Sequence, residues 1–189
     1  MKNQRTSELF RSRLVFRLMF GLVALFVFPA LTPLQAETSV EYKVKAVFLF
    51  KLTKFVEWPS GSFTSDAPFV IGVLGEDPFG QELDKVCKGE EIGGRTVSVK
   101  RGGSLEDLKD SHVIFVSRSE KKEFARILSA LEKQSVLTVA DSDTFMNVGG
   151  MINFVPKGTR ISFEISPKAI KEAGLRVSSK VLRLGIVKK

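Results

Sequence analysis

The chain carries one histidine, His112, and one cysteine, Cys87. These are the two side-chain types most used for nucleophilic, metal and redox chemistry. A zinc centre draws on several such ligands, and no HExxH, paired CxxC or EF-hand spacing occurs. A Ser-His-Asp site would have to recruit His112. Ser117 is the nearest tempting nucleophile, but it lies five residues further along one apolar run. In a strand rising ~3.3 Å per residue the two are roughly 16 Å apart and cannot share a proton. No GxSxG elbow is present, and Gly72, Gly75 and Gly80 fit neither GxGxxG nor a phosphate-binding GK[ST] loop. His112 therefore reads as a strand-end residue with a backbone partner.

Carboxylates remain. Gly75-Glu76-Asp77-Pro78 follows the apolar run 69–74, and Asp141 follows 136–140. At the carboxyl ends of central strands in an open α/β sheet, such residues stand on the rim where ligands bind. Gly75, Asp77 and Asp141 are thus a candidate ligand rim, able to hold a cation or to act as acid and base. Asp77 reads equally as a helix cap and Asp141 as a turn former. Cys87 reads as a buried thiol, with an intermolecular disulfide as the alternative.

The elements that must position these residues follow from periodicity. Residues 40–58 contain no Gly or Pro and stop at Pro59, which predicts a helix. Val40, Val44, Phe48, Leu52 and Phe55 form one apolar stripe, while Leu49 and Phe50 fall outside it. A helix this apolar is either sandwiched in the fold or half used by a partner. Leu49, Phe50 and Lys54 are the candidate partner-binding residues on an exposed patch; the competing reading puts Leu49 and Phe50 in the core.

Strands are predicted at 69–74, 95–100, 112–116 and 136–140, with a hairpin over 151–155 and 160–165. Helices are predicted at 79–86, behind Asp77 and Pro78, and at 120–132, where Ser117 and Glu120 have capping-box spacing. Another runs from Ser166-Pro167 to Gly174, and 175–187 fits helix and strand alike. This order predicts an α/β fold: a single domain with a mixed, mostly parallel twisted sheet, helices on both faces, and a C-terminal β-hairpin and helices.

Residues 1–36 read as a secretory signal peptide. Lys2, Arg5, Arg11, Arg13 and Arg17 precede the apolar run 18–28, and cleavage is expected near Ala36. That run is short for a span of ~20 residues; an uncleaved anchor is the alternative. Five Lys or Arg against one Glu place half of the formal charge of +8 in this segment. In 37–189 the two signs are interspersed, a solvated surface and not a nucleic-acid footprint.

Taken in order, seven segments resemble the YfiR family of periplasmic regulatory proteins. They are KAVFLFKLTKFVEWP (45–59), IGVLGEDPFG (71–80), GGRTVSVKR (93–101), HVIFVSRSE (112–120), LTVAD (137–141), GGMINFV (149–155) and FEISPKAIKEAGLRVSSKVLRL (163–184). The resemblance implies one α/β domain in 37–189, often dimeric, periplasmic, and without catalytic activity or cofactor. It implies a partner: the periplasmic part of an inner-membrane diguanylate cyclase, held inactive, or of a histidine kinase. It further implies an outer-membrane OmpA-like lipoprotein that sequesters the inhibitor, so that cyclic-di-GMP rises and favours biofilm. A small-molecule sensor module for a membrane kinase or transporter is the alternative. One departure stands out: Ser111 occupies a place where relatives often carry Cys, and a single cysteine allows no internal disulfide. Redox control is therefore not carried over, and neither is any interface residue.

Overall fold

The computed structural model describes residues 33–63 and 67–188, with side chains from residue 40 onward. The predicted signal peptide falls on residues 1–36, so it lies outside the described residues apart from the backbone of its last four. Helix α1 (Pro33–Thr53) leads into the short strand β1 (Val56–Glu57). Then follow β2 (Phe69–Leu74), α2 (Gln81–Cys87), β3 (Glu91–Ile92), β4 (Arg95–Gly102) and β5 (Val113–Val116). The order continues with α3 (Phe124–Ala130), β6 (Leu137–Ala140), β7 (Ile152–Lys157) and β8 (Arg160–Ile165). Last come α4 (Pro167–Glu172), β9 (Arg176–Val177), α5 (Ser179–Leu184) and β10 (Ile186–Val187).

Eight strands form one mixed sheet in the order β10-β8-β7-β6-β5-β2-β4-β3. From β4 through β2, β5 and β6 to β7 every neighbour is parallel; the β7–β8 and β3–β4 hairpins are antiparallel. All six residues of β2 (FVIGVL) are buried, as a central strand covered on both faces requires. The pleat sends alternate side chains to opposite faces. Phe69, Ile71, Val73, Phe115, Val139 and Phe154 join one apolar cluster, which includes residues of α1, α2, α4 and α5. Leu74, Ile114, Val116 and Ala140 join a second cluster with Phe124, Ile127 and Leu131 of the α3 region. The α/β expectation therefore holds, with helices on both faces.

Three local readings are corrected. The first helix ends at Thr53 and does not reach residue 58. Thr53 Oγ1 donates to the Phe50 carbonyl at 2.6 Å, and the Ser178 amide takes the Phe55 carbonyl at 2.9 Å. The chain is thereby diverted into β1, which pairs antiparallel with β9. The helix expected over 120–132 opens as a 3-10 segment, Arg118–Glu123, and α3 starts only at Phe124. The capping box does not close: the Ser117 hydroxyl accepts from the Ser119 amide, while the Glu120 carboxylate is taken by the Ser119 hydroxyl. Asp77 accepts from the Phe79 amide at 2.8 Å, but α2 begins later, after Gly80 at φ +52.

Candidate partner-binding surface

One polar contact sets which side of α1 meets the sheet. Lys45 lies in the middle of an apolar helix, 2% exposed, and its ammonium reaches Asp141 Oδ2 at 2.5 Å. The Tyr42 hydroxyl donates to the same oxygen at 2.7 Å. Arg118 Nε reaches Asp141 Oδ1 at 3.1 Å and the Asp141 carbonyl at 3.0 Å, and Glu41 is a second carboxylate on Lys45. Burial, reinforced by the hydrogen bond to Asp141 and its charge, pushes the Tyr42 phenol well above its ordinary range. A buried charge is tolerable only when paired and hydrogen-bonded, so α1 is held with Tyr42 and Lys45 turned inward. Positions 46, 49 and 53 follow at helical spacing and are buried with them.

This orientation selects the core reading of Leu49 and Phe50 over the exposed patch. Leu49 is fully buried and Phe50 is 5% exposed, so the exposed patch expected at these two residues is not there. Lys54 is half-exposed and paired with Glu90 at 2.7 Å, its ammonium 4.5 Å from the Phe50 ring. Val40, Val44 and Val47 face outward instead, 60%, 38% and 37% exposed, and Phe55 beyond the helix end is 44% exposed. The stripe drawn through Val40, Val44, Phe48, Leu52 and Phe55 thus mixes two sides: Leu52 is buried and Phe48 meets Phe154 edge-on at 6.4 Å. Lys43 and Lys51 are exposed on the same helix. The result is an apolar outer strip among lysines.

The expected rim does lie at the carboxyl ends of parallel strands: Gly75 and Asp77 follow β2, and Asp141 follows β6. Its carboxylates are occupied by the protein's own side chains. Asp77 Oδ2 accepts from Arg101 Nε at 2.7 Å, and Arg101 also reaches Asp84 Oδ2 at 2.5 Å. Gly75 has φ +86, and a Cβ there would overlap the Ser119 hydroxyl and the Glu120 carboxylate. No group of three or more His, Cys, Asp or Glu among the described residues is placed to hold a metal ion.

His112 does have its backbone partner: Nδ1 accepts from the Val70 amide at 3.1 Å. Cys87 is buried, and burial, with help from Asp84 and Glu90, pushes its thiol up to about 11. The residues that sequence reasoning missed are Tyr42, Lys45 and Arg118. The one available signal was a lysine at the centre of an apolar helix. Among the described residues no helix is long and apolar enough to cross a membrane. A family model described as YfiR/HmsC-like matches residues 42–186.

Proposed function

The chain belongs to the YfiR/HmsC-like family, and on that premise we propose that it is a non-enzymatic periplasmic regulator of cyclic-di-GMP signalling. It binds the periplasmic part of an inner-membrane signalling protein, a diguanylate cyclase, and represses it. The observation that supports this reading is the outer strip of α1. Val40, Val44 and Val47 are apolar side chains left uncovered on a helix whose other side is locked to the sheet. The neighbouring Lys43 and Lys51 favour a partner surface with an apolar centre and an acidic rim. Leu49 and Phe50 support that strip from beneath.

Repression has a thermodynamic requirement. A regulator silences its target by binding the inactive state more tightly, and moving a 99:1 equilibrium to 1:99 takes about 5.5 kcal/mol of differential affinity. A competing partner, such as an OmpA-like lipoprotein at the outer membrane, would relieve repression by drawing the regulator away. Homodimerisation is part of the same reading, because an uncovered apolar strip also suits a second copy.

The test is capture. Residues 37–189, carrying a cleavable tag, are exposed to detergent-solubilised membranes and the retained proteins identified by mass spectrometry. A cyclase or kinase with a periplasmic domain, retained by the wild type and lost by V44D/V47D, is the expected result. Equal retention by the folded double variant would remove α1 from the interface. The second reading is a small-molecule sensor at Gly75, Asp77 and Asp141. Such a ligand would have to displace Arg101 from Asp77, or Lys45 and Tyr42 from Asp141. A thermal-shift screen in which charged metabolites stabilise the wild type but not D77N would favour it.

A further inference from the structure

His112 immediately precedes β5. It is 9% exposed. Its ring stacks against Phe63, with centroids 4.9 Å apart, and against Phe69, with centroids 4.7 Å apart, both at 21°. Nδ1 accepts the Val70 amide at 3.1 Å. The Ser62 backbone nearby favours a proton on the ring, against the burial that disfavours it. Accepting from the Val70 amide leaves Nδ1 without a proton, so the neutral ring carries its hydrogen on Nε2. A second proton, on Nδ1, sets N–H against N–H and leaves the Val70 amide without its acceptor.

We propose that His112 is an acid-sensitive latch, holding residues 58–63 against the start of β2 while neutral and releasing them when protonated. The segment it holds is short: Trp58, Pro59 and the 3-10 turn Ser60–Ser62 lead to Phe63. Trp58 packs edge-on against Phe69 at 5.0 Å, the same ring that stacks on His112. Charges face the imidazole from two directions. Arg95, at the start of β4, sits 4.9 Å over the Phe63 ring and disfavours a second positive charge; Asp110, before β5, favours it. Lys100 and Lys109 line a cavity of about 470 Å³ that also borders His112 and gives protons a route to it.

The direction of the effect follows from burial, which, with Arg95, outweighs Ser62 and Asp110 and lowers the imidazole below its ordinary 6.5. A depressed folded value means that the contribution to stability is complete above the unfolded value and disappears as pH falls through the folded one. In an exported protein the pH is that of the surroundings, so the latch would report acidification. Residues 54–57 connect the latch to the end of α1. The latch itself stands whether or not α1 binds a partner.

One histidine and one tryptophan make the test specific. On the purified protein, Trp58 emission is followed from about pH 8 to about pH 4 alongside the His112 Cε1–H resonance. The expected result is a red shift of Trp58 with a midpoint below the ordinary histidine value and equal to the midpoint of the imidazole resonance. H112N, whose side-chain oxygen can still accept from Val70 but does not titrate, should lose that step. Persistence of the step in folded H112N, or an imidazole that titrates while Trp58 stays unchanged, overturns the proposal. If H112N fails to fold, the two wild-type midpoints decide it alone: coincidence supports the latch and divergence refutes it.

Discussion

Removing the Asp141 carboxylate would leave the buried Lys45 ammonium with Glu41 alone and take from Tyr42 and Arg118 the partner they share. Breaking one side of a buried pair costs about 3–5 kcal/mol. D141A should therefore lose stability on that scale in urea denaturation. K45M should lose less, because Tyr42 and Arg118 still satisfy Asp141 and a methionine fills the space. A D141A loss below about 1 kcal/mol would mean that the pair does not fix the helix. Cys87 offers a second check: a buried thiol raised to about 11 should resist Ellman's reagent at neutral pH until the protein unfolds. Rapid labelling of the native protein would contradict its placement. At this scale the sequence was half legible. His112 and Asp141 were visible as residue types at strand boundaries. That Lys45 chooses Asp141 was not, because the pair is separated by 96 positions and a lysine within an apolar helix does not name its partner.

Helix α1 should show two sides under mutation. L49A empties a fully buried site and should cost about 2–5 kcal/mol, and F50D should cost at least as much. V47E lies on the outer strip and should change stability by no more than about 0.5 kcal/mol. Chemical denaturation of the three variants checks the orientation; a V47E loss as large as that of L49A would contradict it. The elements themselves were readable where one force dominated. FVIGVL over 69–74 was plainly a buried strand, and the hairpin of β7 and β8 followed from alternation around Pro156-Lys157-Gly158-Thr159. Errors arose where tertiary contacts overrode local pattern. The helix end at Thr53 depends on pairing with Arg176 and Val177, far along the chain. The face of α1 was misassigned because a helix apolar on several sides leaves periodicity without a unique answer, and a buried ion pair supplied it.

For the whole molecule, the sequence order of strands and helices indicated a mixed, mostly parallel α/β sheet, and the eight-stranded sheet has that form. Function was less legible because nothing catalytic stands out, and partner recognition leaves no short motif. Repression of a membrane signalling enzyme through the outer strip of α1, as proposed above, has a direct consequence in the cell. The direct measurement is cellular cyclic-di-GMP in the native bacterium after deletion of the gene, complemented with wild type or with V44D/V47D at equal protein level. Cyclic-di-GMP is expected to rise on deletion, to return to its starting level with the wild type, and to stay high with the double variant. An unchanged level on deletion would contradict the proposal.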